Sequence, residues 1–308
     1  MSAVQRLPNA DPLYAQPSPD RPHYTTGMLL DAQDFLDEQT YHRSRLARAL
    51  AFVSGGGTLA GLRVEHRQAD AATDRAEEIR VSPGLAVDRL GRLIEVPRPA
   101  CLRLGAWYAA RLAEDGGDLL RRSAYDTVAP FLSARAAAAA GTGEFPVVPV
   151  RAAVADLYLR FIACERGLTP SFASGPFDAL DAVSTSRLRD AYELRLELRE
   201  GLEGGFLGLP SPGPDLAAIG DPEARRTALQ DAILDGWPAT GRSGGTGGLD
   251  PLDEHPRDLD PSAVFLARVL VPVTADLPPQ RDGSAVLVDN WSRRFAPGLG
   301  LLSRWIGA

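Results

Sequence analysis

Two hydrophobic periods run along this chain, and the points where one gives way to the other mark its elements. From Asp31 to Val53, apolar and semi-apolar residues fall at Ala32, Phe35, Leu36, Gln39, His42, Leu46, Ala49, Leu50 and Val53, the spacing of one helical face. Asp31 is a good N-cap, because its carboxylate can accept the free amide protons of the first turn, and Asp34 stands at the third helical position. Asp31, Asp34, Asp37 and Glu38 come before Arg43, Arg45 and Arg48, so the charges suit the helix dipole at both ends. Gly55, Gly56 and Gly57 close the element, since glycine takes a left-handed cap without strain. The pattern predicts one amphipathic helix with Phe35 anchoring its apolar face.

After the glycines the period shortens to two. LAGLRVEH reads as a first strand. A polar bridge leads into EIRVSPGLAVDRLGRLIEVPRPACLRL, short strands with turns at Ser82-Pro83-Gly84 and Asp88-Arg89-Leu90-Gly91. Residues 105–145 return to helical spacing, punctuated by Gly116-Gly117 and Pro130, and read as a helical insertion whose Ala136–Ala140 run is a solvated or loosely packed helix end. Strand composition resumes at VPVRAAVADLYLRFIACERGLTPSF. The clearest alternation follows, with Tyr192, Leu194, Leu196 and Leu198 on one side and Glu193, Arg195, Glu197 and Arg199 on the other. Residues 201–261 are rich in glycine and proline and read as a linker with one short helix, capped by Asp221 with Pro222 in its first turn. Residues 262–308 supply two strands across a turn at Arg281-Asp282-Gly283 and a short apolar end. Residues 1–23 read as an extended, proline-rich arm. The expected fold is α+β: an N-terminal amphipathic helix (24–56), a mainly antiparallel β body (57–200) with a helical insertion, then linker and terminal strands.

Composition narrows the function. A net charge of -7 argues against broad nucleic-acid binding, and all 33 basic residues are arginine. Two cysteines, Cys101 and Cys164, are too few for a disulfide framework or a zinc site, which fits synthesis in a reducing cytoplasm. No apolar run suggests a signal peptide or a membrane span.

Candidate chemistry is sparse. The four histidines form no metal-binding pair on a helix, and His42 reads as a packing residue of the apolar face. Gly55-Gly56-Gly57 lacks the Lys-Ser/Thr of a phosphate loop, and no Gly-x-Ser-x-Gly elbow occurs. Asp178 and Asp181 are close enough in sequence to be weighed as an acid/base pair, with surface solvation the default. Asp88 and Asp289 suit a turn and a strand edge, and Arg293-Arg294 suits a carboxylate on a neighbouring protein. These readings predict no enzyme activity and no cofactor or metal.

Four blocks, in order, resemble a family encoded in the gene clusters of phage-tail-like contractile injection systems. They are Tyr24, Thr26, Gly27, Leu29 and Leu30 with the helix residues Asp34, Phe35, Glu38, Gln39, Tyr41 and His42 and the glycines Gly57 and Gly61; Val81, Pro83, Gly84, Ala86, Asp88, Gly91, Arg92, Ile94, Val96 and Pro97; Tyr158, Leu159 and Glu165 with Ser186, Arg187, Asp190, Tyr192, Glu193 and Leu194; and Leu266–Val269 with Val288, Asp289, Asn290, Arg293 and Arg294. Asp190 stands where the family more often has glutamate, and family cysteines near this loop are missing. The resemblance implies a structural or accessory subunit at the baseplate or tail end of such a particle. It would contact other particle subunits and copies of itself, and would leave the cell only as part of the particle. The candidate structural or interface residues are Asp31, Phe35, Glu38, Tyr41, His42, Gly57, Gly61, Asp88, Gly91, Arg92, Arg187, Tyr192, Glu193, Asp289, Asn290, Arg293 and Arg294. Two other classes stay open: a receptor-binding or fibre-like module, marked by exposed loop tips, and a cell-wall or glycan hydrolase, marked by two close carboxylates in a cleft.

Overall fold

A strand that is apolar along its whole length needs cover on both faces, whereas an alternating one needs it on one. β10 (Val264–Pro272) is of the first kind but for Arg268, and all nine of its residues are buried. In the computed structural model, which describes residues 13, 20–143, 145–170, 183–202, 206–211, 216–236 and 249–306, β10 lies inside a five-stranded antiparallel sheet. The order is β11 (Leu287–Asp289), β10, β8 (Ala152–Pro170) and β7 (Ala124–Tyr125), and β9 (Val183–Leu198) pairs with β8 beyond β7. Pairing of β10 with β8 runs from Val264 opposite Leu159 to Pro272 opposite Ala152. Past that point β8 and β9 continue as a two-stranded ribbon from Arg160 to Pro170 and from Val183 to Glu193.

Three chain runs form an antiparallel meander in which every strand breaks at the same level. β1 (Gly57–Gly61), β4 (Gly84–Val87) and β5 (Leu93–Val96) make one half; β2 (Val64–Arg67), β3 (Glu78–Val81) and β6 (Ala100–Arg103) make the other. The corner is tied by Leu62 N–H donating to Pro83 O and Ser82 N–H donating to Arg63 O. Gly61 sits there at φ 64°, and a Cβ on it would lie 2.1 Å from the Pro83 carbonyl oxygen, so a side chain is excluded.

The meander covers one face of the large sheet. Leu62, Val64, Ile79, Val81, Ile94 and Val96 pack there on Leu157, Leu159, Leu196, Leu198, Leu266 and Val269. Each such aliphatic side chain contributes roughly 1.5–3 kcal/mol when withdrawn from water. The other face is covered by Val128, Phe131, Leu132 and Ala136 at one end, and by Leu259 and Ala263 over Tyr158 and Phe265 at the other. The insertion is helical as expected, with α2 (Leu104–Glu114), α3 (Asp118–Arg122) and α4 (Ala134–Ala139), but its β7 joins the sheet and Ala136 is buried rather than solvated.

The N-terminal helix, α1 (Ala32–Val53), begins as its sequence indicates. Asp31 Oδ1 accepts from the amides of Gln33 and Asp34, and Asp34 returns a bond to the Asp31 amide. Gly55, at φ 69°, follows its last turn. The orientation of the helix corrects the expectation. Its only buried residue is Ala47, while Phe35 is 50% exposed, Leu46 64% and Val53 81%. The body holds the opposite side of α1. Gly91, at φ 84°, lies so close under Ala47 that a Cβ would come within 1.7 Å of that carbonyl oxygen.

Part of the expected linker also needs correction. α5 (Pro222–Leu234) starts at Asp221 as expected and buries nothing among the described residues, but Leu249, Glu254, His255 and Leu259 are all buried against the body. A short helix, α6 (Leu299–Ile306), forms where the sequence pattern indicates only a short apolar segment. Most of the arm, and parts of the linker, lie outside the described residues. Among those described, no helix is long and apolar enough to cross a membrane.

Candidate interaction surface

The register of the large sheet sets Asp156 of β8 directly opposite Arg268 of β10, both fully buried. The contact is a two-pronged one: Arg268 Nε donates to Asp156 Oδ1 at 2.8 Å and Nη2 to Oδ2 at 2.9 Å. Arg199 Nε approaches Asp156 Oδ2 at 3.2 Å, and its other nitrogens donate to the carbonyls of Glu254, Asp253 and Gly208. Burial opposes the charge on Arg268, but Asp156 outweighs it, so the guanidinium is held more basic than usual. The Tyr158 hydroxyl is pushed well up by burial, with Asp156 adding to the effect, and it donates to the Glu254 carbonyl. These groups fasten residues 206–211 and 253–254 over the sheet.

Most of the candidate residues in the turns and the C-terminal block are internal ties of the same kind. Asp88 Oδ1 accepts from the amides of Leu90 and Arg92, each at 2.9 Å, and Oδ2 accepts from Arg92 Nε at 2.6 Å. Arg92 reaches on to Ser262 Oγ at 2.8 Å and stacks 4.7 Å from the centre of the Phe161 ring. Asp289 accepts from Ser133, through both its amide and its hydroxyl, and from Ser292. Asn290 stands in for a strand: its amide side chain both accepts from Val64 N–H at 2.8 Å and donates to Val64 O at 2.9 Å. Arg293 donates to Leu62 O at 2.8 Å, and burial draws its pKa down to about 10. Arg294 pairs with the Glu254 carboxylate, so its partner lies in the same chain and not in a neighbour as expected. Gly57, Gly61 and Gly91 each make room for a neighbouring backbone.

The remaining candidates lie outside. Tyr41 is half-buried, with the guanidinium of Arg45 at 5.1 Å and that of Arg21 at 6.0 Å. Glu38 accepts from the Tyr24 hydroxyl at 2.6 Å, a bond that pushes the phenol up to about 12. His42 is exposed, edge-on to Tyr41 and 3.9 Å from Glu38, so the expectation of a packed histidine is corrected: the face it occupies has no cover among the described residues. On the ribbon, Glu193 pairs with Arg160 at 2.9 Å, and Tyr192 turns toward the core. Arg187 stands opposite Arg166, and Arg189 opposite Cys164.

A cleft of about 320 Å³ opens beside Gly57, Arg89, Leu252, Phe265 and Arg294. Its cations are already engaged: Arg89 donates to the carbonyls of Asp250 and Pro261, and Arg294 is bound to Glu254. Nearby, both ring nitrogens of His255 are bonded, one to the Leu252 amide and one to Ala263 O. Among the described residues of this cleft there is neither a pair of facing carboxylates nor an activated nucleophile. Among the described residues, no group of three or more His, Cys, Asp or Glu is placed to hold a metal ion. Asp178 and Asp181 lie outside the described residues. Sequence reasoning missed Asp156, Arg199, Glu254 and Arg268 as a group. A scan against protein-family models finds no match, and a search of the curated proteins finds none.

Proposed function

We propose that this chain is a non-enzymatic structural or accessory subunit of a contractile phage-tail-like injection particle, placed at its baseplate or tail end and working through protein–protein contacts. The observation that carries the reading is the division of labour among the resembling residues. Asp88, Arg92, Asp289, Asn290, Arg293 and Arg294 spend their hydrogen bonds inside the body, while the helix residues leave an apolar stripe outside it. A rigid body with an uncovered apolar helix and a projecting ribbon suits a part that is seated among neighbours. Sedimentation of purified particles tests the proposal. The chain should travel with sheath and tube proteins at a fixed ratio, and particles made without it should be incomplete or unstable. Free chain at the top of the gradient, with intact particles below, would refute it.

A further inference from the structure

The outward stripe of α1 is Phe35, Gln39, His42, Leu46, Ala49 and Val53, all exposed. Successive steps of four, three, four, three and four residues are those of a seam that packs against another helix, each side chain entering a hollow on the partner. Among the described residues nothing covers this seam, because α1 is held from behind at Ala47. The charges then choose the partner. The acidic residues Asp31, Asp34, Asp37 and Glu38 occupy the first half of the helix, and Arg43, Arg45 and Arg48 the second. A second copy laid parallel would stack acid on acid, whereas one laid antiparallel sets acid against base and opposes the two dipoles favourably.

We propose that α1 pairs antiparallel with α1 of a second copy of this chain. One register satisfies seam and flank together. Leu46 packs on Phe35 of the second copy and Phe35 on its Leu46, with Gln39 beside His42 in the two central layers, where amide and imidazole can exchange a hydrogen bond. In the same register Glu38 and Arg45, seven residues apart on one flank, face each other reciprocally across the twofold axis. Both are oriented for this within the chain, Glu38 by the Tyr24 hydroxyl and Arg45 by the Tyr41 ring. The pairing names one partner for the subunit proposed above and takes its biological purpose from that reading.

Sedimentation velocity on the full chain across a concentration series tests it. Wild type should form a dimer. Leu46→Glu should be monomeric with an unchanged circular dichroism spectrum, since Leu46 is largely exposed. Glu38→Arg and Arg45→Glu should each weaken the dimer by about tenfold, because each turns two attractive pairs repulsive, and the double reversal should restore it. In a Cys101→Ser, Cys164→Ser background, Phe35→Cys with Leu46→Cys should cross-link two copies on oxidation, while either cysteine alone should not. A wild-type monomer at every concentration, a dimer that survives Leu46→Glu, or a double reversal that fails to recover would overturn the pairing. Those results would leave the particle assignment to stand or fall by its own sedimentation test.

Discussion

Replacing Asp156 by asparagine removes the carboxylate that both buried guanidiniums touch, and leaves Arg268 with only the field of Asp289 across on β11. Arg199 keeps the carbonyls of Glu254, Asp253 and Gly208. Arg268 is worse placed: the amide oxygen can keep one of its two short contacts, the other is lost with the charge, and beside it remain Gly208 O at 3.2 Å and Phe131 O at 3.4 Å. Breaking one side of a buried pair typically costs about 3–5 kcal/mol, because the surviving charge is left without compensation. The residual carbonyl contacts argue for the lower part of that range, a melting temperature lower by roughly 10 °C. Urea unfolding followed by tryptophan fluorescence measures the change directly. Replacing both partners, Asp156→Leu with Arg268→Met, should recover part of the loss, since the charge of Arg268 is then gone and Arg199 keeps its three carbonyls. A cost below about 1 kcal/mol for Asp156→Asn would show that the cluster is not a closed ionic tie, and the account of how residues 253–254 are held would fail with it.

Other substitutions probe other links. Phe35→Ala, at low protein concentration, should cost less than about 1 kcal/mol, whereas Leu157→Ala in the sheet core should cost about 2–5 kcal/mol; equal losses in urea titrations would put Phe35 back in the core. Gly91→Ala should destabilise the chain by at least about 1–3 kcal/mol, through its positive φ and the collision with Ala47, and a neutral result would mean that α1 does not rest there. Burial lowers the proton affinity of His66 and His255 below the ordinary 6.5, against the opposing pull of Glu77 and of the Ala263 carbonyl. Their contribution is therefore complete above that value and is lost as pH falls through the lowered folded-state pKa. Melting temperature should drop between about pH 7 and pH 5, and the drop should shrink in His66→Gln with His255→Gln; an unchanged slope would contradict the assignment. Limited proteolysis of the free chain should cut in and around α5, which buries nothing among the described residues, before it reaches residues 249–262, and the reverse order would refute the packing of Glu254 and Leu259.

What could be read from the sequence was local. The Asp31 cap, the glycine stop and the β9 alternation each depend on neighbours within a few residues, and they appear where the pattern puts them except at Arg199, which lies past the end of β9 and is buried rather than on the charged face. The facing of α1 was not legible, because periodicity marks an apolar stripe without saying which molecule covers it. The ionic cluster left a faint signal: AAVADLYL and VFLARVLV are two apolar strands with one charge each, of opposite sign. Seeing them as a pair required the register that sets residue 156 opposite 268. Composition misled at 249–261, where glycine and proline suggested a linker. The burial of Glu254 and His255 comes from partners as distant as Arg294 and Tyr158. Arg293 and Arg294 suggest a reach toward another protein for the same reason, since their partners Leu62 and Glu254 are remote in sequence.

Cryo-electron microscopy of the contractile particle produced by the same genome tests the central claim most directly. The account predicts density for this α+β body at the baseplate or tail end, with the outer face of α1 and the β8–β9 ribbon buried in contacts with neighbouring subunits. A complete particle with no density for the chain, or a chain seated with Phe35, Leu46 and Val53 facing solvent, would contradict it.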